Sequence, residues 1–338
     1  MNNVLFAFVS PQAEDPACHA GMAVTASSSA LSLNEARVEA SSLPVTNGEM
    51  LWAKLADEWT AFTHVVLCAP YLDPVFLGNM VRHYPRKQFA MCYHSNLGFL
   101  AVDRFAARSL PAFVALSEDS PNFRTASNSH EFVAAINGST AKDSIAYLPN
   151  LYHLPSATRR TKTLWKPPLP LAIGLFGAAR VLKNWMTAGA AAMILQRMVG
   201  VRVNLHLSHG RDEGAEGTRE GLAALLTLNP DVQVVDVPWL SADDFRRYLY
   251  GIDLLLQPSF TETFNNVTAD GCYCGVPCVV SDAISWAPEE WKAKADSAAS
   301  IAGSAMRILH DEGAAKRGWV ALDAHNKVSI VAWDKWLA

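Results

Sequence analysis

The stretch that decides the fold runs from Pro258 to Asp282, PSFTETFNNVTADGCYCGVPCVVSD. It carries two carboxylates, Glu262 and Asp270, eight positions apart, and then a small-residue turn into the apolar run Gly275-Val276-Pro277-Cys278-Val279-Val280. Eight positions is a little over two helical turns at about 3.6 residues each. A helix starting near Asn265 puts Asp270 on its second turn and leaves Glu262 in the loop before it. Such a junction offers backbone N–H groups and the positive end of the helix dipole, where a diphosphate binds well. The two acids can then hold hydroxyls on either side of that diphosphate.

Outward from this segment, short apolar runs alternate with helical patterns, which predicts parallel α/β sheets. Strands are expected at 4–9, 36–45, 63–69, 88–93, 113–116 and 145–148. Helices are expected at 20–33, 49–59 and 75–83, the last with Pro74 suited to its first turn. After the proline-rich segment 153–170, which reads as a linker, strands are expected at 171–176, 201–207, 233–237 and 254–256. Helices are expected at 184–198, 218–227, 242–249 and 300–309. Residues 330–338, with two tryptophans, are expected to pack back on the first half.

At 338 residues the chain accommodates two ordinary domains. Half the residues are hydrophobic and 18% are charged, as in a soluble globular protein. The net charge is −4, and residues 1–165 carry nearly equal numbers of basic and acidic side chains. Neither fact favours a nucleic-acid partner. The six cysteines, Cys18, Cys68, Cys92, Cys272, Cys274 and Cys278, sit mostly in apolar runs and read as reduced, buried thiols of a cytoplasmic protein. The N-terminus lacks a basic region and reads as a first strand. No run approaches the ~18–20 apolar residues of a membrane span.

The segment 258–280 resembles the retaining nucleotide-sugar glycosyltransferases of GT-B type, the large family that includes sucrose synthase and many mannosyl- and glucosyltransferases (glycosyl transferases group 1). Their pattern runs P-S-x-x-E-x-F-x-x-x-x-x-E-A-x-x-x-G-x-P-V-V. Pro258, Ser259, Glu262, Phe264, Gly275, Pro277 and Val279 fall in register. Asp270 replaces the second Glu, Gly271 the Ala and Cys278 the first Val. Gly177–Asn184, GAARVLKN, resembles the family's G-R-x-x-x-x-K-N loop, with Gly177, Lys183 and Asn184 in register and Arg180 standing two residues beyond the usual arginine, at Ala178. His94, after the strand at 88–93, resembles the interdomain histidine near the transferred sugar. Ser117-Glu118 resembles a cleft-facing V-x-x-S segment, and Pro149-Asn150 the motif ending the first domain, with Leu151 where the family has Gly. The loop Ser10–Gly21 departs from the family's Gly-Gly turn.

The resemblance implies an α/β protein of two Rossmann-like domains facing across a cleft. Residues 1–165 would form the acceptor-side domain, 166–320 the nucleotide-sugar domain, and 321–338 a segment returning to the first. It implies transfer of a hexose from a UDP- or GDP-sugar to the hydroxyl of an unidentified acceptor, with retention and without cofactor or metal. His94, Glu262 and Lys183 would act in catalysis. Gly177, Arg180, Lys183, Glu262, Thr263, Phe264, Asn265, Asn266 and Asp270 would bind the donor, Asp270 through its ribose. Two alternatives stand beside this reading: a glucosyltransferase acting on nucleic-acid bases, and a sugar-nucleotide-binding module without turnover. No G-x-G-x-x-G follows a strand, which argues against a dehydrogenase. His206, His209 and the three clustered cysteines could be imagined around zinc, but no C-x-x-C pair exists and the cysteines are accounted for by packing. His209, at a strand end, could touch the nucleotide. The run Arg159-Arg160-Thr161-Lys162 with Trp165-Lys166 reads as a solvated linker before it reads as an anion site.

Overall fold

The computed structural model describes residues 2–9, 20–57, 61–140, 142–155, 165–211 and 217–338. Most of the loop 10–21 with Cys18, the end of the helix expected at 49–59, and the basic run 159–162 lie outside them. The chain forms two compact units, Met1–His153 with Asn326–Ala338, and Leu154–His325.

In the first unit the order is β1 (Asn3–Val9), α1 (Ala20–Glu35), β2 (Glu39–Val45), α2 (Gly48–Asp57), β3 (His64–Cys68), α3 (Pro74–His83), β4 (Gln88–Tyr93), α4 (Leu97–Leu100), α5 (Arg104–Asp119), β5 (Phe123–Ser127), α6 (His130–Ser139) and β6 (Ile145–Tyr147). The strands form one parallel sheet ordered β2-β1-β3-β4-β5-β6. Every residue of β3 is buried. That burial on both faces is why these strands read as continuous apolar runs rather than alternating ones. Alternation shows instead in where side chains go. Leu5 and Ala7 of β1 join one core layer with Val65, Leu67, Phe89 and Phe123. Val4, Phe6 and Phe8 join the opposite layer with Val66, Ala126, Trp333 and Leu337. Trp333 meets Phe6 edge-on, centroids 5.3 Å apart, and donates its indole N–H to the Pro149 carbonyl at 2.9 Å.

One expected strand is not a strand. Phe113–Leu116 lies inside α5, whose first turn is capped by Asp103 accepting from the Ala106 amide at 3.0 Å. Ala106, Ser109, Phe113 and Ser117 are its buried face, at helical spacing. A four-residue apolar run does not distinguish a strand from one face of a helix. The strand of this region is β5, FRTAS, whose Arg124 and polar residues hid it. Ser117 therefore faces the core, bonded to the Phe113 carbonyl at 3.1 Å and Thr125 Oγ1 at 2.9 Å, and not a cleft.

The second unit runs β7 (Leu171–Leu175), α7 (Trp185–Val199), β8 (Val203–Ser208), α8 (Thr218–Leu226), β9 (Val232–Val237), α9 (Ala242–Leu249), β10 (Leu254–Gln257), α10 (Asn266–Cys274), β11 (Cys278–Val280), α11 (Ala298–Leu309) and α12 (Ala314–Leu337). Single-turn helices precede α7 and α11. The parallel sheet is ordered β11-β10-β7-β8-β9. From β7 the chain winds outward through β8 and β9, then returns to place β10 on the other side of β7. The β7–β10 boundary is thus a topological switch point, and its carboxyl edge is where open α/β sheets hold ligands. The last residues of α12, from Asn326 on, belong to the first unit.

Candidate functional site

Two loops leave that switch point, residues 176–184 after β7 and 258–265 after β10. They are fastened together. Phe260 donates its amide to the Leu182 carbonyl at 2.9 Å. Asn184, buried and left-handed at φ +61°, donates to the Pro258 carbonyl at 2.9 Å and the Ala295 carbonyl at 2.6 Å. Asparagine tolerates this conformation better than other side-chain-bearing residues.

At the junction Lys183 Nζ bonds Glu262 Oε1, both side chains largely sheltered at 14% and 13% exposure. The same oxygen accepts from Ser259 Oγ at 2.9 Å and from Asn265 Nδ2 at 3.0 Å. Asn265 sits at φ +69°, and its Nδ2 also donates to Gln257 Oε1 at 3.0 Å, while its Oδ1 caps α10 by accepting from the Thr268 amide at 2.9 Å. Gln257 in turn donates to the Phe176 carbonyl at 3.0 Å. A buried polar chain therefore runs from the end of β7 through Gln257 and Asn265 to Glu262 and Lys183. Satisfied networks of this kind fix side-chain orientation. All three donors converge on Oε1 of Glu262, which leaves Oε2 as the acceptor for anything that enters.

Gly177 takes φ +109°, and its amide donates to Ser208 Oγ at 3.1 Å. A Cβ there would meet only Lys183 Cε at 3.8 Å, so glycine answers to backbone conformation and not to crowding. Arg180 is half-buried in the same loop. Ala178 is buried, so the position where the family carries arginine is part of the core.

The amides of Thr263, Phe264, Asn265 and Asn266 form the approach to α10. Trp286 holds this turn from behind, donating its indole N–H to the Phe264 carbonyl at 2.6 Å and stacking on its ring. Asp270 sits further along α10, buried, with Arg246 Nε of α9 on its Oδ1 at 2.9 Å. The Arg246 guanidinium also lies over the Tyr273 ring, 4.7 Å from its centroid.

The sequence placed Ser259 in register but gave it no role, and it left out Gln257, Trp286 and Arg246. Ser259 lies inside the recognised pattern and was legible. The others carry no local signal, because their roles depend on which strand end lies beside which. Near the ends of β8 and β9, Arg211 lies over the Trp239 ring at 5.1 Å. His209 is exposed, with Nδ1 4.0 Å from Asp236. His206 bonds Tyr248 Oη at 2.7 Å. Cys272, Cys274 and Cys278 are buried, and burial raises the Cys278 thiol to about 12.

His94, in the first unit, follows β4. Its Nδ1 lies 3.2 Å from Asn128 Nδ2, which also donates to Asn150 Oδ1 at 3.1 Å. Burial pushes the imidazole down to about 4, the side-chain bond to Asn150 opposing this more weakly. At neutral pH His94 is uncharged.

No helix among the described residues is long and apolar enough to cross a membrane. No protein-family model and no curated protein sequence matches the chain. Solved structures do. Sucrose-phosphate synthase from Thermosynechococcus elongatus is 16% identical over 99% of this chain and 97% of that one, with a TM-score of 0.66. HepE from Anabaena, in complex with UDP and glucose, is 14% identical over 99% of this chain and 100% of that one, with a TM-score of 0.64. TarM from S. aureus, solved with UDP and alpha-GlcNAc-glycerol, is 12% identical with a TM-score of 0.60; 81% of this chain is covered and it spans 55% of TarM. Two parallel α/β units, alike across their whole length to two of these proteins, give this chain the fold of the GT-B glycosyltransferases.

Proposed function

We propose that the protein is a retaining, metal-independent glycosyltransferase that moves a hexose from a nucleoside diphosphate sugar to an acceptor hydroxyl in the cytoplasm. The observation that carries this reading is the Lys183–Glu262 pair at the switch point, held by Ser259 and Asn265 beside the start of α10. The UDP and UDP-glucose complexes of HepE, which shares the fold, support a nucleotide-sugar donor.

The chemical problem is departure of a diphosphate. Its charge is met by groups already in place, Lys183, Arg180 and the N-terminus of α10, which is electrostatic catalysis without reorganisation. Lysine contributes a point charge, and arginine a planar fork able to clamp two oxygens. Glu262 Oε2 accepts from a hydroxyl of the sugar and fixes its pose. His94, uncharged at neutral pH, serves in catalysis. The bond from the anomeric carbon to the diphosphate oxygen breaks as the bond to the acceptor oxygen forms on the same face. The acceptor's proton passes to the departing phosphate, so no protein nucleophile is required. Asp270, with Arg246 Nε on its Oδ1 at 2.9 Å, meets the ribose.

Calorimetric titration with UDP-, GDP- and ADP-sugars tests the reading. One donor is expected to bind selectively, with binding lost in Lys183→Ala. Well-folded protein that binds none of them overturns it.

A further inference from the structure

We infer, resting on the donor site proposed above, that Arg219 is a positioning residue, which acts on the donor through the loop 177–184 that carries Arg180 and Lys183.

The start of that loop is tied to the end of β8. The Gly177 amide donates to Ser208 Oγ at 3.1 Å, and the Ala179 amide to the Arg211 carbonyl at 3.0 Å. The loop's other end runs into Trp185, the first residue of α7. Arg219 meets both ends. Its Nη2 donates to the Ser208 carbonyl, and its guanidinium carbon lies 5.7 Å from the centroid of the Trp185 ring. Its Nη1 donates to Asp236 Oδ1 of β9 at 2.6 Å. A planar guanidinium bonds through its edge while stacking through its face, which an ammonium group does not do.

The place of Arg219 in its own helix points the same way. It is the second residue of α8, where a cation opposes the helix dipole. The partners that favour it there lie on β8, β9 and α7. Ser208 works in two directions, its carbonyl held by Arg219 and its hydroxyl holding Gly177. Gly177 sits at φ +109°, and its bond to Ser208 fixes the turn from which the loop departs. Arg180 and Lys183 meet a diphosphate at full strength only when they stand in place before it arrives. A small displacement of the loop that carries them is therefore felt in binding.

Calorimetric titration of the full chain with UDP-, GDP- and ADP-sugars, run beside urea unfolding, tests this. For whichever donor binds, Arg219→Lys keeps the charge and loses the fork and the stack. It is expected to weaken binding about tenfold. Ser208→Ala, which frees the Gly177 amide, is expected to weaken it as well. The two act along one connection, so the double variant is expected to lose less than the product of the single losses. Leu226→Val, at the far end of α8, is expected to lower the unfolding free energy and leave donor affinity within about twofold. Arg219→Lys that binds within about twofold of wild type, losses that multiply, or equal weakening by Leu226→Val overturns the inference and leaves the donor site standing. Failure of the wild-type protein to bind any of the sugars removes the donor site and this inference together.

Discussion

Trp286 donates its indole N–H to the Phe264 carbonyl at 2.6 Å while stacking on the Phe264 ring at 5.4 Å between centroids. One side chain thus fixes both ends of a residue at the entrance to α10. Trp286→Phe keeps a ring and deletes the donor. It is expected to cost about 1–2 kcal/mol, the range for removing a bond to a sheltered carbonyl. Urea unfolding reads the loss, and a change below a few tenths would show that stacking alone holds the turn.

Lys183→Met leaves Glu262 with Ser259 and Asn265 but without its cation. Removing one partner of a fully buried pair costs about 3–5 kcal/mol. Both side chains here retain some solvent contact, so about 2–3 kcal/mol is expected. Glu262→Gln in the same chain should recover part of it, and a double-mutant cycle measures the coupling. Strictly additive effects would mean that the two side chains do not depend on each other.

His94 makes stability depend on pH. Its folded-state value of about 4 lies below the ordinary 6.5. Between these values the unfolded chain binds a proton that the native chain refuses. The contribution is fully present above pH 6.5 and drains away as pH falls toward 4, about 3 kcal/mol in all. Unfolding free energies of wild type and His94→Gln across that window should differ in slope. Parallel profiles would place the titrating group elsewhere.

Gly271 stands where the family pattern carries alanine, yet the methyl does not fit. A Cβ there would lie 2.5 Å from Leu255 Cδ1 and 3.0 Å from the Val276 carbonyl oxygen. Gly271→Ala gains about 1 kcal/mol of helix propensity and loses about 1–3 to overpacking. A net loss of about 1 kcal/mol is expected, falling further behind in a Leu255→Ile background and recovering with Leu255→Val. A thermal scan showing stabilisation would mean that Leu255 rotates away freely.

Much of the architecture was legible because buried parallel strands announce themselves as apolar runs, as in residues 64–68 and 254–256. The loop glycine at 177, Lys183 and Glu262 were singled out by their register with the family pattern. What escaped has physical reasons. Phe113–Leu116 shows the same apolar density whether it is a strand or a helix face, and only the cap at Asp103 separates them. Asp270 was legible as an acid on α10, but its partner Arg246 lies 24 residues upstream and meets it only once α9 and α10 pack. The polar chain through Gln257 and Asn265 likewise depends on β7 and β10 being neighbours, and strand order is not written locally.

The two tryptophans at the end of α12 bear on the order in which the protein is finished as it is made. Chains emerge from the ribosome N-terminus first, and domains tend to fold as they appear. The first unit, however, closes one face of its sheet with Trp333 and Leu337. Asn326 clasps the Tyr152 backbone on both sides, accepting from its amide at 2.9 Å and donating to its carbonyl at 2.5 Å. Residues 1–153 therefore wait, with an open apolar face, until some 170 further residues have been synthesised. The half that is made first is completed last.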